Sequence, residues 1–191
     1  MNIGIDIDGV LMDDDTYRLD TMSKFGYENN IGVLDYPYAF ESKCNWDKEM
    51  KQKYKEEYYF DYIKNMPAKR YASEVIEKLH KEGHKIIIIT GRTDTQEDTE
   101  IGRKIRNYTE EWLRNNNIYY DKICYAYWPK TKEIQENNID VMIEDSDEVI
   151  NEIAKYTKVF CYDNRYNIDL QSNNVVRVFS WYDIYAKIKS I

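Results

Sequence analysis

Cysteine, histidine, positive charge and long apolar runs are all scarce in this chain of 191 residues. The three cysteines, Cys44, Cys124 and Cys161, lie far apart and form no metal-type pair. A reduced, cytoplasmic setting is therefore the expectation. The two histidines, His80 and His84, flank Gly83 at what reads as a helix end. Neither has an acidic or cysteine partner at metal-ligand spacing, so both read as structural. Lysine and arginine number 27 against 35 acidic residues, a net charge of −8. That balance argues against a nucleic-acid polymer or an anionic membrane as the main partner. A small phosphorylated substrate remains possible, because a few local cations and a metal suffice to bind one. No apolar stretch approaches membrane-spanning length. The N-terminal one is short and broken by Asp6 and Asp8, unlike a secretory signal. There is no internal repeat and no low-complexity linker. The length suits one domain with a real core, with room for a small subdomain. Oligomeric state is left open.

What is present is concentrated first at the N-terminus. Residues 2 to 8 alternate into two carboxylates two positions apart, followed by Gly9. Alternate residues of a strand share a face, so Asp6 and Asp8 would meet in one site where the strand ends. One carboxylate can attack phosphorus, a second can carry the leaving-group proton, and such oxygens suit Mg²⁺. The competing reading is a β-hairpin, since Asp-Gly between hydrophobics is a strong hairpin signal. A hairpin needs a second strand directly after the turn, whereas Val10-Leu11-Met12 runs into Asp13-Asp14-Asp15.

Residues 11–66 are polar and aromatic-rich, without a convincing strand; helices are expected around Asp14–Phe25 and Trp46–Ile63. A regular rhythm then begins. Ala72, Val75, Ile76 and Leu79 mark an amphipathic helix ending near Gly83, and Lys85–Thr90 is a continuous apolar strand. Ile101, Ile105, Tyr108 and Trp112 mark a long helix. Strands are expected at Lys122–Tyr127, Asp140–Glu144, Lys158–Tyr162 and Val175–Phe179. Helices are expected at Lys130–Asn137, Asp147–Tyr156 and Trp181–Lys189. This alternation predicts an α/β fold with a mostly parallel sheet. Residues 1–10 and 67–191 would form the core, with 11–66 as an insertion.

Sites in parallel α/β sheets form at the carboxyl ends of strands. Here those ends carry Asp6 and Asp8, then Thr90-Gly91-Arg92, then Glu144-Asp145-Ser146, with Pro129-Lys130-Thr131-Lys132 opening a helix between the last two. Singly, each has an ordinary explanation: Thr90 as a strand end, the lysines as solvated charges, the acidic pair as a favoured helix start. Their joint appearance at the correct end of successive strands carries the weight.

The order Asp6-x-Asp8-Gly9-Val10, Thr90-Gly91-Arg92, Lys130, Glu144-Asp145 resembles the haloacid dehalogenase (HAD) superfamily of phosphatases. Within it, the chain is similar to the cytosolic 5′(3′)-deoxyribonucleotidase-like group and bacterial nucleotidases; Trp112-Leu113, Tyr120-Asp121-Lys122 and Ile139-Asp140-Val141 add to the likeness. The superfamily match spans residues 1–10 and about 70–162. The resemblance implies a Rossmann-like HAD core with a small, mainly helical cap inserted after the first strand. It implies that Asp6 is the nucleophile and a Mg²⁺ ligand, and that Asp8 is the general acid and base with its backbone carbonyl on the metal. Thr90 and Gly91 would bind the phosphoryl group, and Lys130, preferred to Lys132, would neutralise charge. Asp145 would hold the metal directly, with Glu144 direct or through water. Superfamily pumps carry Thr at position 8 and dehalogenases lack this acid, so Asp8 points to a phosphatase. Arg92 is a weaker phosphate-site candidate.

The insertion carries Tyr17, Phe25, Tyr27, Tyr36, Tyr38, Phe40, Trp46, Tyr54, Tyr58, Tyr59, Phe60 and Tyr62. Aromatic faces can stack on a nucleobase. Most of these nevertheless read as the cap's own core, in a chain with 19 tyrosines. Tyr17 and Phe25 follow the first strand most closely and are expected nearest the substrate. The resulting expectation is a Mg²⁺-dependent phosphomonoesterase for nucleoside or deoxynucleoside monophosphates. The alternatives are a phosphatase for another small phosphate, such as a sugar phosphate, and a non-catalytic phosphate-binding regulatory module.

Overall fold

The computed structural model describes residues 1–31 and 45–191, so Tyr36, Tyr38, Phe40 and Cys44 lie outside the described residues. The elements run β1 (Asn2–Ile5), α1 (Asp15–Glu28), α2 (Lys48–Asn65), α3 (Ala72–Lys81), β2 (Lys85–Thr90), α4 (Glu100–Asn115), β3 (Lys122–Tyr125), α5 (Thr131–Glu136), β4 (Val141–Glu144), α6 (Asp147–Ile153), β5 (Lys158–Tyr162), β6 (Val175–Val178) and α7 (Trp181–Ile188), with a 3₁₀ turn at Arg165–Asn167 before β6. The strands form one parallel sheet in the order β3-β2-β1-β4-β5-β6. From β1 the chain builds outward through β2 to β3, then returns past β1 to β4 and builds the other way. The topological switch point therefore lies between β1 and β4, which are paired neighbours.

Period-two alternation explains the apolar runs. Ile86 and Ile88 of β2 join Ile3 and Ile5 of β1 in a cluster with Val75, Ile76 and Leu79 of α3, Trp112 and Leu113 of α4, and Trp181 and Ile184 of α7. Ile87 and Ile89 turn to the opposite face, against Met142, Val159, Ile134 of α5, and Val149, Ile150 and Ile153 of α6. Side chains of Thr99, Ser146 and Ser180 cap α4, α6 and α7 by accepting hydrogen bonds from first-turn amides.

β1 is shorter than the alternation predicts. It ends at Ile5, and the amides of Leu11 and Met12 both donate to the Ile7 carbonyl at 2.9 Å, so the backbone turns at once. No hairpin follows, because β1 pairs in parallel with β2 and β4. The helices between β1 and β2 pack a small cluster of their own from Met22, Phe25, Trp46 and Tyr54. The C-terminal end of α2 instead belongs to the main core: Tyr62, Ile63 and Met66 sit in it, and the Trp112 indole N–H donates to the Met66 carbonyl at 2.6 Å.

His80 lies against the Tyr119 ring, and His84 Nδ1 is 3.4 Å from the N-terminal nitrogen. Cys124 and Cys161 are free thiols. No helix among the described residues is long and apolar enough to cross a membrane.

Candidate active site

Asp6 is the first residue beyond β1, and its amide donates to the Ile143 carbonyl of β4 at 3.0 Å. Its carboxylate is buried, and Lys130 Nζ donates to Oδ1 at 2.6 Å. The same ammonium donates to Glu144 Oε2 at 2.6 Å, while Glu144 Oε1 accepts from the amides of Asp145 and Ser146 at 3.0 and 3.1 Å. Burial raises the Asp6 pKa to about 7, against the pull of Lys130. Burial, with the charges of Glu144 and Asp6, raises Asp145 well above the usual carboxylate range. Burial opposes the Lys130 charge, but Asp6 and Glu144 outweigh it and raise the pKa of the ammonium. One oxygen each from Asp6, Glu144 and Asp145 lies within 4.8 Å of the others. Three buried carboxylates so close are costly unless a cation serves them, and an all-oxygen donor set suits a hard divalent ion.

The loop after β5 holds Asp145 in place. Tyr166 donates its hydroxyl to Asp145 Oδ2, and Asn164 Nδ2 reaches the same oxygen at 3.4 Å and the Gly9 carbonyl at 3.2 Å. Asn167 Nδ2 donates to the Asp145 carbonyl at 2.7 Å. Gly9 has φ +76°, and a Cβ there would sit 1.9 Å from Asp145 Oδ2, so no larger residue fits.

Asp8 is held by different partners. Arg92 Nε and Nη2 each donate to one of its oxygens at 2.9 Å, a bidentate fork, and the Tyr62 hydroxyl donates to Oδ1 at 2.8 Å. Burial would raise this carboxyl, but Arg92 and Tyr62 outweigh it and hold it at about 2. At the end of β2, Thr90 is fully buried and its Oγ1 has no hydrogen-bond partner among the described residues. An orphaned buried hydroxyl costs free energy unless a ligand completes it. Lys130 itself takes φ +72°, and its side chain passes Gly91.

Asp6, Asp8, Gly91, Arg92, Lys130, Glu144 and Asp145 line one cavity of about 410 Å³, within the range of small-molecule sites. The wall from α2 consists of Tyr54, Lys55, Tyr58, Tyr59 and Tyr62; Trp128 and Tyr166 add further rings. Lys132 is not there: its side chain is 75% exposed and faces Glu136. Tyr17 and Phe25 are also absent from the lining. Phe25 is fully buried against Trp46 and Tyr54, and the Tyr17 hydroxyl donates to Asp61.

The family model for "5' nucleotidase, deoxy (Pyrimidine), cytosolic type C protein" matches residues 1–191. The chain belongs to this nucleotidase family. It is a phosphoric monoester hydrolase with the HAD fold. A nucleotidase from Clostridium acetobutylicum is 26% identical over 189 residues, covering 97% of this chain and 92% of the relative. In fold, the chain is similar to a HAD family hydrolase from Deinococcus radiodurans solved with bound phosphate and sodium (TM-score 0.71, 14% identity, 99% and 95% of the two chains covered). It is also similar to a haloacid dehalogenase-like hydrolase from Streptococcus pneumoniae (TM-score 0.68, 14% identity, 98% and 97% covered).

The sequence of this nucleotidase does not single out Asn164, Tyr166 and Asn167, which hold Asp145; they follow β5, and the strand-end rule extended to that strand points to them. Tyr54, Tyr58 and Tyr62 stand among the insertion aromatics, and their recurrence every four residues on α2, which marks one helix face, sets them apart from Tyr17 and Phe25.

Proposed function

We propose that the chain is a Mg²⁺-dependent 5′-nucleotidase that hydrolyses nucleoside or deoxynucleoside monophosphates through an aspartyl-phosphate on Asp6. The observation that carries this reading is the contact of Asp6 with Lys130 just past the end of β1, in a cavity also lined by Asp8, Gly91 and Asp145, with the orphaned Thr90 hydroxyl at the end of the neighbouring strand β2. Lys130 takes Asp6 Oδ1, so Oδ2 is the oxygen that attacks phosphorus. Thr90 Oγ1 and the Gly91 amide receive phosphoryl oxygens, where charge accumulates in the transition state. Lys130 balances the charge of Asp6 and the phosphate. Asp8, ionised beside Arg92 and Tyr62 in the free protein, gains a proton when the negative charge of the bound phosphate favours its neutral form; it gives that proton to the leaving oxygen and then takes one from the attacking water.

Asp6, Asp145 and the Asp8 carbonyl would hold Mg²⁺. Glu144, whose oxygens already serve Lys130 and two amides, would support Asp145 or reach the ion through water. Bound there, the ion would draw charge from the phosphoryl oxygens and neutralise the carboxylates. The phosphate reported with the Deinococcus relative is consistent with such a site.

Residues 11–66 serve as the cap, with α2 as the wall of the leaving-group pocket. The nucleobase stacks on Tyr58, Tyr59 or Trp128, rather than on Tyr17 or Phe25. Each stack contributes on the order of 1–3 kcal/mol. The dispersed cysteines support a reducing, cytoplasmic setting. Steady-state kinetics over nucleoside monophosphates and sugar phosphates test the substrate. Nucleotides should have the higher kcat/KM, and Trp128→Ala or Tyr58→Ala should erode that advantage while sparing small aryl phosphates. Sugar phosphates hydrolysed better than every nucleotide would contradict the nucleotidase reading.

A further inference from the structure

The Arg92 fork raises a question that the mechanism leaves open. Arg92, the weaker phosphate-site candidate after the Thr90-Gly91 strand end, turns both donors of one edge to Asp8. Its remaining contacts are Thr109 Oγ1 at 2.7 Å and Met12 Sδ at 3.0 Å. The guanidinium is thus buried and anchored on α4 and on the turn after β1. Tyr62, on α2, donates to Asp8 as well. Its single proton serves Asp8 Oδ1 at 2.8 Å or Asp14 Oδ2 at 2.9 Å, and Arg18 already donates to the latter at 2.8 Å.

A carboxylate offers about four lone-pair directions. The fork occupies one on each oxygen, and Tyr62 occupies a second on Oδ1. The second direction on Oδ2 is left, on a side chain that lines the cavity and remains 27% exposed. We propose that Arg92 and Tyr62 are positioning residues for Asp8, fixing the one lone pair through which it exchanges a proton with leaving group and water. This rests on the nucleotidase reading above, with Asp8 as acid and base.

The two half-reactions use that lone pair in opposite directions. As the bond from Asp6 Oδ2 to phosphorus forms and the bond to the leaving oxygen breaks, the proton on Asp8 Oδ2 passes to that oxygen. As a water oxygen then bonds to phosphorus and the Asp6–phosphorus bond breaks, Asp8 Oδ2 takes the water proton and inorganic phosphate leaves. Both transfers need the same orientation. Because Tyr62 shares α2 with Tyr54, Tyr58 and Tyr59, the helix that walls the leaving-group pocket also sets the direction of proton transfer.

Leaving-group dependence tests this. A nucleoside monophosphate departs as a basic alkoxide and needs the proton; p-nitrophenyl phosphate departs as a stable phenolate and does not. With Mg²⁺ present, Arg92→Ala should lower kcat/KM for the nucleotide on the order of 100-fold or more, the usual contribution of acid–base catalysis. The aryl phosphate should change only a few-fold. Tyr62→Phe, which keeps the buried ring, should fall in the same direction by about tenfold, and Arg92→Lys should lie between wild type and Arg92→Ala. In single-turnover phosphoryl transfer, adding Arg92→Ala to Asp8→Asn should cost nothing further, because Arg92 acts through Asp8. Equal losses on both substrates, or additive losses in the double variant, would overturn the inference alone. If Arg92→Ala fails to fold, an unchanged substrate ratio in Tyr62→Phe and Arg92→Lys overturns it too. A wild type that hydrolyses neither phosphate overturns the nucleotidase reading, and this inference with it.

Discussion

Asp6 and Asp8 stand two residues apart, and the protein treats them oppositely. Asp6 shares a buried pocket with Glu144 and Asp145, and burial raises its pKa to about 7. Asp8 is gripped by Arg92 and Tyr62 and held at about 2. The consequences for stability have opposite signs. Without a divalent cation, folded Asp6 binds its proton more tightly than unfolded Asp6, so its contribution is lost as pH rises from the ordinary carboxylate range through about 7. The Asp8 contribution is present above the ordinary range and is lost as pH falls through about 2. In chelator, Asp6→Asn should therefore gain in Tm relative to wild type as pH rises from about 4 to 7. Mg²⁺ should narrow that gap at neutral pH. Thermal melts of both proteins at several pH values decide it, and a pH-independent difference would contradict the assignment of Asp6.

At the scale of elements, burial decides what the sequence makes legible. β2 reads clearly because both its faces are covered, and α3 and α4 read clearly because one face of each is apolar. The end of β1 is hidden in the sequence because alternation continues through Ile7 and Asp8 while the backbone is already turning onto the Ile7 carbonyl. α2 is harder still. Its rings divide among the small aromatic cluster, the cavity wall and the main core, so no single face dominates. The hydrogen bond from Trp112 of α4 to the Met66 carbonyl ties the end of α2 to the core. Trp112→Phe should leave that buried carbonyl unsatisfied at a cost of about 1–3 kcal/mol, plus a penalty for lost volume. Urea unfolding should register it as a lowered midpoint; an unchanged midpoint would show that the bond contributes nothing.

For the whole molecule, the sheet order brings distant residues into one place. Asp6 closes β1 and Glu144 closes β4, neighbours at the switch point, and Lys130 arrives from the loop between β3 and α5. Those residues were legible because each follows a recognisable strand or opens a helix. Arg92 on Asp8, Tyr62 on Asp8 and Asn164 on Gly9 were not, because each partnership joins segments far apart in sequence, and nothing local records it. The central claim is that this assembly makes Asp6 a covalent phosphoryl carrier. Rapid acid quench of the enzyme with Mg²⁺ and a nucleoside monophosphate, followed by mass analysis of the N-terminal peptide, tests it most directly. A gain of one phosphoryl group on Asp6, absent in Asp6→Asn, is the predicted result. Nucleotide turnover by a folded Asp6→Asn protein, or p-nitrophenyl phosphate turnover with no phosphorylated Asp6 trapped in an Asp8→Asn protein, which needs no proton donor to form the intermediate but cannot assist its hydrolysis, would contradict the account.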